Sequence, residues 1–176
     1  SVREVEADWR RGATLAQVEG ALNEWPNARV IFHTWSESST GVLNDMGEIG
    51  KLIRSQNKFF VADAVSGLAV SPMSMDAWAI DAVVVGSQKG LMVSPGLGVV
   101  AIGPRAWQKS EQSKTSRFYF DWKKLKGNVP FTPALSLLLE LDGALDFIQT
   151  QGMDKIFARR AQVADRIREL VRRSGM

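Results

Sequence analysis

An α/β fold with a mostly parallel, mixed sheet flanked by helices is predicted by three features of the sequence. Four short runs rich in β-branched or aromatic residues, at positions 29–34, 58–63, 81–85 and 97–103, read as strands. Strands and helical stretches alternate along the chain, the order that builds a parallel sheet with helices on its faces. The last two runs are joined only by a lysine-bearing loop and the turn Pro95-Gly96. That link is short for a parallel crossover, so one antiparallel strand is expected.

The elements follow in order. Thr14-Leu15-Ala16-Gln17 has the spacing of a capping box and opens a helix expected to reach about Trp25. The first strand, 29–34, runs into the polar loop Ser36-Glu37-Ser38-Ser39-Thr40-Gly41. Ile49, Leu52 and Ile53 are spaced for one face of a helix over 47–54. The second strand, 58–63, ends in an acid, and 71–78 reads as a turn or short helix. The third strand, 81–85, meets Gly86. After the fourth, Pro104 suits the first position of a helix through Trp107. Two helices, 133–149 and 153–173, close the chain.

Composition narrows the chemistry. Hydrophobic residues make up 45% of the 176 and charged residues 23%, so a packed core is expected rather than disorder. The net charge is +3, and much of the excess sits in Arg159, Arg160, Arg166, Arg168, Arg172 and Arg173. At helical spacing these read as a solvated face, not a nucleic-acid surface. The chain has no cysteine, which excludes disulfides, thiolate metal sites and cysteine nucleophiles, and suits a reducing, cytoplasmic setting. The single histidine, His33, disfavours a histidine metal site or a serine–histidine triad and reads as structural. No apolar run has the length of a membrane span.

Polar groups collect where the strands end. Ser38 and Ser39 lie just beyond the first strand, Asp63 ends the second, and Ser87-Gln88-Lys89 follows the third. In a parallel sheet these fall on one edge, the edge at which open α/β sheets bind ligands. A lysine held there and partly desolvated can lose its proton and attack a carbonyl to form a Schiff base. An aspartate there, if partly buried, needs a partner, and a cationic heteroaromatic nitrogen would serve. Taken singly, Lys89 reads equally as a solvated loop lysine and Asp63 as a loop or helix-cap acceptor.

Taken together, these residues resemble the class V aminotransferases, fold type I pyridoxal-phosphate enzymes. Glu37-Ser38-Ser39-Thr40-Gly41-Val42-Leu43, Asp63, Gly86-Ser87-Gln88-Lys89-Gly90-Leu91 and Ser94-Pro95-Gly96 carry the resemblance. Within the family it lies with the alanine–glyoxylate and serine–glyoxylate aminotransferase group. It implies pyridoxal 5'-phosphate as cofactor, with Lys89 as the Schiff-base lysine and acid–base catalyst. Asp63 would pair with the pyridine nitrogen, Val65 would pack on one ring face, Ser38 would bond near the phenolic oxygen, and Gln88 would help hold the phosphate. Thr132, in Pro130-Phe131-Thr132-Pro133, would reach the phosphate of a neighbouring subunit, or be an ordinary helix cap. Trp35 stands where the family places a histidine. A homodimer with its active site at the interface is implied, acting on small amino acids and 2-oxo acids, with neither nucleic acid nor membrane as partner. Residues 1–176 are expected to form the central part of the large cofactor-binding domain, with an N-terminal segment and a C-terminal small domain outside it. Two alternatives stay open: a non-catalytic fragment or assembly subunit of this fold, and a related pyridoxal-phosphate lyase.

Overall fold

The computed structural model of the chain describes residues 2–126, 129 and 131–175. Its elements are α1 (Leu15–Glu24), β1 (Val30–Thr34), α2 (Met46–Ser55), β2 (Phe59–Asp63), β3 (Ala82–Gly86), β4 (Gly98–Ile102), α3 (Pro104–Glu111), α4 (Trp122–Leu125), α5 (Leu135–Gln151) and α6 (Met153–Arg173). Among the described residues the strands form one sheet in the order β1-β2-β3-β4. The pairs β1–β2 and β2–β3 are parallel and β3–β4 is antiparallel, as the short link between the last two strands requires. Register sets Thr34 opposite Asp63, and Asp63 opposite Val84, so β1 and β2 end level and β3 runs two residues further, to Gly86.

Local chemistry fixes where the helices start. At α1, Gln17 N donates to Thr14 Oγ1 (3.2 Å) and Thr14 N donates to Gln17 Oε1 (2.9 Å), the reciprocal capping box. At α2, Asp45 Oδ1 accepts from Gly47 N at 3.0 Å, and Met46, Ile49 and Ile53 turn into the core. Gly50 allows this helix its close approach: a Cβ there would stand 1.8 Å from the Trp78 carbonyl oxygen. At α3, Pro104 takes the first turn after Gly103, and the helix runs past Trp107 to Glu111 because the following residues keep helical geometry. The short α4, which the sequence did not signal, is capped by Asp121, whose Oδ1 accepts from Lys123 N at 3.2 Å. α5 begins at Leu135, two residues later than the pattern indicates, and Gly152 at φ 80° turns the chain into α6.

Phe60, Ala62, Val83 and Val85 alternate toward α2 and, with Ile49, Ile53 and Trp35, form the core. Trp35 is almost fully buried and meets Trp78 edge to face at 5.5 Å. Two charged groups are also buried at the amino ends of the strands. Lys58 Nζ donates to the carbonyls of Pro26 (2.7 Å) and Ala28 (2.8 Å), tying the α1–β1 turn to β2. Asp81, 2% exposed, accepts from Arg54 Nη2 at 3.0 Å, from Arg105 Nη1 at 3.2 Å and from Phe60 N at 2.9 Å. One carboxylate therefore fastens β3 to β2, α2 and α3. Among the described residues no helix is long and apolar enough to cross a membrane.

Candidate active site at the carboxyl ends of the parallel strands

Beyond β1 the chain doubles back as a small closed loop. Ser36 and Leu43 form an antiparallel bridge, Glu37 N donates to Val42 O at 2.9 Å, and Gly41 N donates to Glu37 O at 2.8 Å. Gly41 turns with φ 74°, in the left-handed region that glycine tolerates without a Cβ penalty. Glu37 Oε1 accepts from Ser39 N (2.8 Å) and Ser39 Oγ (2.9 Å). These bonds, the backbone one foremost, hold the Glu37 carboxyl below its ordinary pKa. Asn44 closes the base: Nδ2 donates to Thr34 O at 2.8 Å and Oδ1 accepts from Ala13 N at 3.1 Å. The loop thus presents Ser38, exposed, with its hydroxyl against that of Ser66.

At the end of β2, Asp63 is exposed rather than partly buried. Strand alternation explains the difference, since Phe60 and Ala62 take the core face and Asp63 falls on the other. Asp63 Oδ1 accepts from Val65 N at 2.9 Å, and among the described residues Oδ2 has no hydrogen bond. Val65 is half-buried. The turn then tightens, with Gly67 N and Leu68 N both donating to Ala64 O (3.1 and 3.0 Å).

After β3, Ser87 is fully buried and staples the loop shut from within. Its hydroxyl donates to Ser94 O at 2.7 Å and accepts from Leu97 N at 3.2 Å. Gln88 and Lys89 are left at the apex, both exposed, so Lys89 is not desolvated in this chain as the sequence led us to expect. The Gln88 carboxamide folds back beside Gly86, where an added Cβ would lie 2.8 Å from its Oε1. Met92 N donates to Lys89 O at 3.0 Å, with Met92 itself at φ 63°. The Arg160 guanidinium of α6 donates to Gly90 O at 3.3 Å.

The three strand ends therefore carry Ser38, Asp63 with Val65, and Gln88 with Lys89 along one edge. The family profile described as Aminotransferase class-V matches residues 1–175. The chain belongs to the class-V aminotransferase family. It is 33% identical over 182 residues to serine–glyoxylate aminotransferase of Arabidopsis thaliana, an alignment covering 98% of this chain and 45% of that protein. Pyridoxamine–pyruvate aminotransferase from Mesorhizobium loti superposes with a TM-score of 0.81 at 26% identity, over 88% of this chain and 42% of that one. Alanine–glyoxylate aminotransferase from Nostoc sp. gives a TM-score of 0.80 at 26% identity, over 87% and 42%. The chain spans a little under half the length of the curated relatives it matches. The mostly parallel mixed sheet is that of the fold type I aminotransferases.

In this class-V aminotransferase chain the remaining candidates separate from the strand-end cluster. Thr132 is exposed three residues ahead of α5 and is not its cap, a place held by Ala134. Pro130 of that motif lies outside the described residues, as do Ser1 and Met176. Trp35, which the sequence resemblance sets where the family is expected to have a histidine, is a core residue whose ring leaves no room for a Cβ on Gly67, 2.4 Å away. His33 is half-buried with Nδ1 on Thr34 O at 2.9 Å, and burial lowers its pKa. Two residues that the sequence did not single out, Asn44 and Ser66, join Glu37 and Gly90 of the quoted motifs to complete the site's scaffold. Glu37 also carries a local signal, a carboxylate two residues before a serine, the spacing of a side-chain-capped turn.

Gly90 joins the second and third strand ends, because a Cβ there would stand 2.0 Å from Leu68 O. Gly90→Ala is accordingly expected to destabilise the chain by about 1–3 kcal/mol through overpacking, read as a lower urea midpoint at unchanged m-value. A midpoint equal to that of the wild type would show that the Lys89 loop does not rest on the Leu68 backbone.

Proposed function

We propose that this chain is the core of the cofactor-binding domain of a pyridoxal-phosphate-dependent aminotransferase that moves an amino group from serine or alanine to a 2-oxo acid such as glyoxylate. The observation that supports it is the placement of Ser38, Asp63 and Lys89 at the carboxyl ends of three parallel strands, in a family of aminotransferases. The donor set suits the cofactor: an exposed primary amine, an exposed carboxylate with one oxygen unpartnered among the described residues, a hydroxyl and a carboxamide. Pyridoxal phosphate, when bound, supplies an aldehyde to join to amines and a ring that stabilises negative charge at the neighbouring carbon.

Each side chain then has a task. Lys89 Nζ would be the attachment point for the aldehyde and, when freed by a substrate amine, would take and return the proton as base and acid. Asp63 would pair with the pyridine nitrogen and keep it protonated, since an adjacent carboxylate favours the cationic form. Val65 would cover one face of the ring, Ser38 would donate to the phenolic oxygen, and Gln88 would steady the phosphate. Thr132 would reach the phosphate held by a second copy in a homodimer whose active site lies at the interface. The serine and alanine donors rest on the printed names of relatives, serine–glyoxylate and alanine–glyoxylate aminotransferase.

Titration of the full-length protein with pyridoxal phosphate is expected to raise a visible absorption band that Lys89→Ala abolishes. No band in the wild type, or a band kept by the variant, overturns the assignment. With serine and glyoxylate, glycine and hydroxypyruvate are expected. Pyruvate and ammonia from serine alone would identify a lyase instead.

A further inference from the structure

We propose that Ser66 is a positioning residue for the cofactor. Its hydroxyl donates to Ser38 Oγ, which leaves the Ser38 proton to be given to the cofactor's phenolic oxygen. The inference rests on the cofactor assignment above and adds a residue to it. Ser38 and Ser66 come from different strand ends, one from the loop after β1 and the other from the turn after β2. Their hydroxyl oxygens are in hydrogen-bond contact, and this is the only side-chain hydrogen bond of either among the described residues.

Each hydroxyl has one proton to give and two lone pairs to offer. If Ser38 gave its proton to Ser66, Ser38 would turn lone pairs toward an acceptor oxygen, which repels it. With Ser66 as donor the order runs Ser66 to Ser38 to the phenolic oxygen, and each bond polarises the next. Ser66 is suited to hold this direction because its turn is rigid. The residue before it donates its N–H to Asp63 Oδ1, and the residue after it donates to Ala64 O. Ser38 is equally fixed, by the Ser36–Leu43 bridge and by Asn44 at the loop base. The contact thus sets the spacing between the group meant for the phenolic oxygen and Asp63, the group meant for the ring nitrogen.

The test is the dissociation constant of pyridoxal phosphate for the full-length protein. Ser66→Ala is expected to weaken binding roughly three- to tenfold, the scale of one neutral hydrogen bond, with the melting temperature of the cofactor-free protein unchanged. Ser66→Thr, which keeps the hydroxyl, is expected to bind as the wild type does. In a Ser38→Ala background, Ser66→Ala should cost nothing further, since the two act as one unit. If Ser66→Ala lowers the melting temperature, Ser66→Cys, with similar volume and a weaker donor, carries the same expectation. Wild-type affinity in the alanine variant, or losses that add in the double variant, overturns the role of Ser66 alone. Failure of the wild type to bind pyridoxal phosphate overturns both the role and the assignment beneath it.

Discussion

Asp81→Ala is expected to lower the free energy of unfolding by about 3 kcal/mol, a large share of the roughly 5–15 kcal/mol that holds a domain folded. Asp81 is 2% exposed and is bonded to Arg54, Arg105 and the Phe60 amide. Removing it strands two guanidinium groups and one buried N–H, and breaking a buried pair from one side costs about 3–5 kcal/mol. The lower end applies because both arginine side chains keep some solvent, at 38% and 29% exposure. Asp81→Asn should cost less, since a carboxamide oxygen still accepts from Phe60 N. Urea unfolding followed by tryptophan fluorescence measures both. A loss below about 1 kcal/mol for the alanine variant would mean that water replaces the carboxylate and that the hub does not organise the amino end of the sheet.

Asp63→Ala is expected to do the reverse: to reduce kcat of the full-length enzyme about 10²–10³-fold while hardly moving the unfolding midpoint. Asp63 is exposed, and Val65 N makes its one side-chain hydrogen bond among the described residues. Asp63→Asn keeps an oxygen for Val65 N and loses only the charge. If the proton on the pyridine nitrogen is what matters, the asparagine variant falls as far as the alanine variant in serine–glyoxylate transamination. An asparagine variant with near wild-type turnover would assign Asp63 to the turn and remove it from the chemistry.

Patterns confined to a few residues were legible in the sequence. The Thr14–Gln17 capping box, the four strands and the antiparallel β4 each depend on neighbours close along the chain, and each formed. The strand-end cluster was legible too, because parallel strands deliver their last residues to one edge whatever the helices between them do. Contacts between distant residues were not. Nothing around Asp81 announces that Arg54 and Arg105 will converge on it, and nothing around Ser66 points to Ser38. Exposure was misjudged at Asp63 and Lys89 because it depends on which face of β2 the last residue takes and on how far the Ser87 staple lifts the loop apex. The start of α5 was placed too early because Pro133 resembles a first-turn proline, yet it precedes the cap at Ala134.

The third strand also acts as a spacer between the buried charged hub and the strand-end loop. Asp81 and Ser87 stand at its two ends, separated by the five residues of β3. At about 3.3 Å per residue the separation is roughly 20 Å. That is about twice the Debye length at 0.1 M salt, and the carboxylate is already matched by two arginines. The strand-end cluster is thereby electrostatically insulated from the buried hub. Changes at the two ends of the strand should add without interaction, so residues around Lys89 can be substituted while the lock at Asp81 stays as it is.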